Sequence, residues 1–369
     1  MRTADVRRTT TALALLLALT ACSSGGETET EQPGQEPSPT GSPSGAPSGG
    51  ASEDPTVAEP TDAFLDWTDT GNEAGTPYLA GPEWSARSTG SGSRVDLTRP
   101  GTDIGIAAGS GRTISEVLMS TDWVVVVRQD EAETRSSLVD VVDLATGEKG
   151  TLAGPAPASG GSWALTGSDL YYPTYGDRRA YCLATSALAD SNGEDGWCAP
   201  RNTGFSGLTA TDLGVGMMTF DDSRPVACRT ANLLDDSGVP QPIDGPTECL
   251  AWDVAPAYDG YVWSEVPRPK RQEEAHFHAS AYGAFVDLGP GTTGSLTPCG
   301  DSVFFVRDPQ SPDEPARLMR WTADHTLEVA YESASTGNAF LGEPACGGGV
   351  LTLSSFGEQG DEQVWAPVA

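Results

Sequence analysis

Positive charge is scarce in this 369-residue chain. Lys and Arg together number 21 against 52 Asp and Glu, a formal net charge of −31. Lys149 and Lys270 are the only lysines. A surface this acidic repels phosphate backbones and anionic headgroups, which excludes DNA and RNA as partners. Histidine is rarer still, at three residues, so the side chain best suited to proton transfer near neutral pH is nearly missing. No Cys-x-x-Cys pair occurs, which removes the usual structural zinc arrangement. No Gly-x-Ser-x-Gly occurs in the folded region, and helical periodicity is nearly absent beyond the N-terminus. The apolar run Thr11 to Leu19 is too short to span a bilayer as a mature helix.

That run is framed by Arg2, Arg7 and Arg8 before it and by Leu19-Thr20-Ala21-Cys22 at its end. The pattern resembles the lipobox of the bacterial lipoprotein family. The resemblance implies cleavage before Cys22, lipidation of its sulfur, and a membrane partner reached through that lipid. Residues 1–21 are then a signal peptide. Residues 22–62 are the lipidated Cys plus a Ser/Gly/Pro/Glu tether with too little apolar surface to fold. Residues 63–82 are transitional, with Phe64, Trp67 and Tyr78 as docking points, and 83–369 form the folded body. The expected location is the outer face of the cytoplasmic membrane, at the cell surface. The abundant Ala, Gly, Asp and Pro, with Arg as the main cation, resemble the usage of a high-GC, actinobacterial genome.

The body repeats. A short turn ending in Asp leads into an apolar strand at Asp122, Asp169, Asp212, Asp259 and Asp301, and Gly348 stands at the sixth instance. Successive spacings are 47, 43, 47, 42 and 47 residues. Periods near 45 built from short strands are the mark of β-propeller blades. The fold class is therefore all-β. A β-propeller of six blades is expected, closed by N-terminal strands at Trp84 to Ser88, Arg94 to Thr98 and Ile104 to Ala107. Seven blades is the alternative, if that segment forms a blade of its own.

Setting Cys22 aside, six cysteines remain in an exported chain, where disulfides are the default. Six cysteines allow 15 pairings, and the repeat register selects one. Cys182 with Cys198 and Cys228 with Cys249 flank a second-to-third strand turn in successive repeats. Cys299 and Cys346 occupy one repeat column 47 residues apart and would join neighbouring blades near the hub.

The turn Asp143-Leu144-Ala145-Thr146-Gly147-Glu148 resembles the Asp-x-x-Thr-Gly repeat of quinoprotein-like bacterial propellers, and the layout resembles TolB-like domains. The resemblance implies a fold and an extracytoplasmic setting. The repeats lack the tryptophan signature of quinone-binding dehydrogenases, so no cofactor is expected and no catalytic residue carries over.

Candidate chemistry is thin. His276-Phe277-His278 puts two imidazoles on one strand face, yet both fall at ordinary blade positions, so no metal is expected there. His325 reads as a solvent-facing loop residue. Gly300-Asp301-Ser302 looks like a nucleophile motif but coincides with the repeat turn. The recurring Asp residues are either a carboxylate ring at the channel mouth or caps of their own turns, and capping is the expectation. Asp190 to Gly196 misplaces the glycine that an EF-hand needs. Arg268-Pro269-Lys270-Arg271 is the one basic cluster. With no catalytic residues evident, the expected role is binding of a protein or cell-envelope component through the propeller's loops. The alternative is an extracytoplasmic hydrolase, lyase or quinone-dependent oxidoreductase. An enzyme should show converging ionisable groups of perturbed pKa at the channel mouth, and a binder an exposed aromatic loop patch.

Overall fold

The computed structural model describes residues 56–223, 227–268 and 271–368. The lipobox, Cys22 and the tether up to residue 55 lie outside the described residues. Among the described residues, beyond a single 3-10 turn at Asp177–Arg179, all regular structure is β.

The strands form antiparallel meanders of four, as the alternation of apolar and polar residues on half-buried strands requires. Blade I comprises Tyr78–Ala80, Ser85–Thr89, Arg94–Arg99 and Thr102–Ala107. Blade II comprises Arg112–Met119, Trp123–Asp130, Leu138–Asp143 and Lys149–Thr151. Blade III runs from Ala164–Thr166 to Asn192–Cys198 and blade IV from Thr203–Thr211 to Pro240–Pro242. Blade V runs from Ala251–Ala257 to Ala284–Thr292, and blade VI from Thr297–Cys299 to Leu327–Thr336. Blade VII takes Ala345–Gly347, Val350–Phe356 and Glu362–Pro367 from the C-terminus and its fourth strand, Thr68–Asp69, from the N-terminal region. Blades II and VII count as one hydrogen-bonded sheet only through a single residue pair, Gly347 with Met119.

The count of four-stranded units is thus seven, which corrects the expectation of six. The segment expected to close the ring, Trp84 to Ala107, is a blade of its own. Closure by an N-terminal strand does occur, but Thr68–Asp69 provides it. The tether boundary moves as well: Thr56–Val57 and Thr61–Asp62, assigned by sequence to the tether, pair in parallel with the outer strands of blades V and VI. Residues 56–69 therefore form a strap across the outer edges of three successive blades. Trp67 anchors it, with its indole N–H on Ala330 O at 2.8 Å and its ring edge-on to Tyr331. These additions cover strand edges that would otherwise invite pairing with another chain.

Apolar side chains fill the joints between blades. One cluster joins I to II through Val95, Leu97, Val124 and Val126. Further clusters join II to III, III to IV, IV to V, V to VI and VI to VII. The joint between VII and I is different. It is carried by hydrogen bonds, Ala80 N–H to Thr352 Oγ1 at 3.0 Å and the Gln363 side-chain amide to Thr76 O at 2.8 Å. Blades VII, I and II converge tightly at the hub, where Gly347 is required because a Cβ there would collide with the Ala80 carbonyl.

Disulfides link Cys182 to Cys198, Cys228 to Cys249 and Cys299 to Cys346. The pairing matches the register argument, although the local placement differs for two of them. Cys182 and Cys198 face each other across the third and fourth strands of blade III. Cys249 lies in the connection from blade IV to blade V. Cys299 and Cys346 join the innermost strands of blades VI and VII. Three disulfides suggest an oxidising, extracytoplasmic compartment. Among the described residues no helix is long and apolar enough to cross a membrane.

Candidate functional site

In each meander the first strand lines the central axis. First-to-second and third-to-fourth turns lie at one end of the channel. Blade-to-blade connections and second-to-third turns lie at the other.

At the connection end, two clefts flank the short innermost strand of blade I. A cleft of about 450 Å³ lies between blades I and II and is lined by Tyr78, Ala86, Ser88, Val95, Ile114 and Glu116. A second, of about 260 Å³, lies on the other side of the same strand and includes Glu343, Thr352, Phe356 and Gln363. Pro77, Tyr78 and Ala345 border both. The clefts meet at these three residues, the larger one above the apolar joint of blades I and II and the smaller one along the polar joint of blades VII and I, and together they form a groove on either side of Tyr78.

Glu116 owes its position to a bulge. Ile114 pairs with Arg128 and Glu116 with Val127, so Ser115 is the extra residue that re-aims the strand. Burial pushes the Glu116 carboxyl from its ordinary 4.5 up to about 7, and the charge of Glu343 adds to the effect. Glu343 reaches solvent along the groove but is surrounded by enough protein that its pKa also rises, with the charge of Asp253 contributing. Asp253 sits at a second bulge, on the innermost strand of blade V. Its Oδ2 accepts the Ser264 hydroxyl at 2.9 Å and the Gly294 N–H at 3.0 Å. Burial outweighs those bonds and raises the carboxyl to about 6. Glu343, in the connection leading into blade VII, thus stands within electrostatic reach of both Glu116 of blade II and Asp253 of blade V. None of the ion pairs among the described residues involves them.

This is the fold of a β-propeller. The β-propeller domain of the Trilobed protease from Pyrococcus furiosus, described as having an open velcro topology, superposes with a TM-score of 0.53 at 11% identity. That match covers 82% of this chain and 96% of that one. A structure from an analysis of two prolyl endopeptidases gives 0.53 at 14% identity over 79% of this chain, which spans 46% of that chain. Identities this low establish the fold alone. No protein-family model and no curated protein sequence matches the chain.

The residues singled out by sequence are placed as follows. The recurring Asp residues do not hold equivalent positions. Asp212 and Asp259 lie within two-residue hairpin turns, whereas Asp169 begins a strand. They do not cap their own turns either. Asp212 accepts the Thr166 hydroxyl of the preceding blade, and Asp259 bonds Tyr282. The cap at the blade II turn comes from Ser120, whose Oγ accepts Trp123 N–H at 3.1 Å. Gly300-Asp301 is a hairpin turn, and buried Ser302 accepts from Arg320 rather than standing free as a nucleophile. Asn192 to Gly196 belong to the fourth strand of blade III rather than to a loop. Arg268 and Arg271 both pair with Glu274, while Pro269 and Lys270 lie outside the described residues. In the Asp143–Glu148 turn, Asp143 Oδ1 accepts the N–H groups of Ala145 and Thr146 at 2.9 Å, a structural arrangement.

His325 lies in the loop between the third and fourth strands of blade VI, as its sequence context implies, and makes contacts there. Its Nε2 lies 3.1 Å from Tyr258 O, and its ring meets Tyr282 edge-on. Tyr282, 76% exposed, together with Tyr258 and Leu213, makes an apolar turn patch at the end of the channel opposite the carboxylates. Both anticipated signatures are therefore present, at opposite ends. Glu116, Glu343 and Asp253 were not singled out by sequence. A single Glu or Asp in an acidic chain carries no signal, and the bulges that aim Glu116 and Asp253 inward leave none that composition reveals.

Proposed function

We propose that this chain is an extracytoplasmic binding module whose recognition site is the groove around Tyr78–Ala80. The observation that carries the reading is the row formed by Glu116 and Glu343, one in each cleft, which take part in none of the ion pairs among the described residues, with Asp253 near enough to raise the pKa of Glu343. Such a row favours a ligand that brings positive charge, and the apolar side chains of Tyr78, Ala86 and Val95 receive its aliphatic part. The ligand is a basic segment of a protein or another cationic component of the cell envelope. A lipid on Cys22 would hold the module at the outer face of the membrane.

Site-directed photocrosslinking in cells tests this. A photoreactive residue at Ser88 in the groove should capture a partner that one at Tyr282 does not. Capture from Tyr282 alone would move the binding surface to the opposite end and overturn the groove assignment.

One observation favours a second reading. A carboxyl held near pKa 7 beside another acid is suited to proton transfer, so the groove also fits a hydrolase or lyase in which Glu116 is the acid. Turnover of an envelope polymer that follows the protonation of Glu116 and is lost in Glu116→Gln would establish that reading instead.

A further inference from the structure

Blade V carries a second constellation, remote from the groove in sequence and built from neutral and anionic ligands together. Its third strand, Glu274–Ala281, places His276 and His278 on one face. Its fourth strand is bulged. Phe277 pairs with Gly289 and His278 with Asp287, so Leu288 is the extra residue and is buried in the core. The bulge brings the Asp287 carboxylate beside both imidazoles. Asp287 Oδ1 lies 2.6 Å from His276 Nε2 and accepts the Gly289 N–H at 2.7 Å. One ligand atom from each of the three residues lies within 4.8 Å of the others.

We propose that His276, His278 and Asp287 form a Zn²⁺ site, with a fourth coordination position open to water or to a group on a partner. Sequence points away from a metal here, because His276 and His278 fall at ordinary blade positions. Asp287 is invisible to it, because a bulge decides which residue of the fourth strand stands opposite His278. Two imidazoles and one carboxylate are a borderline donor set suited to zinc and neighbouring divalent ions. Ligand atoms about 2.0–2.1 Å from a tetrahedral Zn²⁺ are roughly 3.3 Å apart, a closure within reach of small side-chain rotations.

The surroundings prepare the ligands. The His278 ring stacks on Trp263 with centroids 5.1 Å apart, and the two imidazoles are 4.9 Å apart. The strap fixes Asp287 from its other side, since Val57 pairs with it and Ala58 N–H donates to its carbonyl at 2.8 Å. Glu265 pairs with His276 on the second strand, but its Oε1 accepts the Thr247 N–H at 2.7 Å, so Asp287 is the carboxylate of the site. Arg307, the nearby cation from blade VI, is spent on the carbonyls of Leu288 and Pro290. Side-chain exposures of 39% for His276 and 23% for Asp287 leave the site an entry path.

Titration of the full chain with Zn²⁺ by calorimetry, and with Co²⁺ by visible absorption, tests the site. One ion per chain with tetrahedral Co²⁺ bands is expected. The chain has three histidines, so the controls are simple. His276→Ala and His278→Ala should each weaken binding by at least about 100-fold, since losses of outer-shell partners alone cost about 10–100-fold. His325→Ala should bind as the parent does. Asp287→Asn keeps the side-chain shape and should also bind weakly, which separates ligand loss from misfolding. Absence of saturable binding by the parent, or binding that survives loss of either His276 or His278, overturns the proposal.

Discussion

Replacing Glu116 by Gln should stabilise the protein above pH 7 and leave it almost unchanged near pH 4. The folded carboxyl titrates at about 7 and its ordinary value is 4.5. Below 4.5 it is protonated in both folded and unfolded chains, and its burial costs no charge. Between 4.5 and 7 the unfolded chain releases the proton while the folded one retains it, so stability falls as pH rises through that window. At 1.36 kcal/mol per pH unit, a shift of this size corresponds to an upper limit of about 3 kcal/mol at pH 8, less where groove water screens the charge. Gln removes that penalty while keeping the side-chain length. Urea denaturation of the parent and variant from pH 4 to pH 8.5 should show a difference that opens with a midpoint between 4.5 and 7. Glu343→Gln should narrow it, because part of the shift comes from the Glu343 charge. A difference that is the same at both ends of the range, or a parent more stable than the variant at pH 8.5, would refute the burial argument and the groove assignment built on it.

Other expectations concern the staples and the anchor. Trp67→Ala removes the indole bond to Ala330 O and the packing against Tyr331. A half-buried Trp of this kind should cost about 2–3 kcal/mol in denaturant unfolding, and a loss under about 0.5 kcal/mol would make the strap dispensable. Replacing both Cys299 and Cys346 by Ala should cost about 2–4 kcal/mol, read as a lower unfolding midpoint under non-reducing conditions. Peptide mapping without reduction should return the three pairs Cys182–Cys198, Cys228–Cys249 and Cys299–Cys346, and another pairing would break the blade register. Cys22→Ala should move the protein from the membrane fraction to the soluble one, whereas unchanged retention would dismiss the lipid anchor.

Periodicity made much of the fold legible. Each repeat turn joins a first strand to a second, and a two-residue turn between alternating strands is a local, strongly patterned object. That locality also placed Cys299 and Cys346 in one column, one on each of the innermost strands of blades VI and VII. Blade I escaped because its first turn, Pro82-Glu83 closed by the Gly81 N–H on Trp84 O, carries no Asp at the recurring position. Without the Asp-bearing turn, its strands looked like spare parts for closing another blade. The strap escaped for a different reason. Thr56–Val57, Thr61–Asp62 and Thr68–Asp69 are two-residue strands in a polar stretch, and their pairing is decided by the free edges of blades V, VI and VII, more than 200 residues away. The same limit governs both candidate sites. Glu116, Asp253 and Asp287 each owe their position to a register shift in a strand pair, and a bulge changes which face a side chain joins without changing the alternation that sequence reveals. Repeats therefore disclose the scaffold of this propeller, while three of its several bulges, on blades II and V, aim the charged side chains of the two candidate sites.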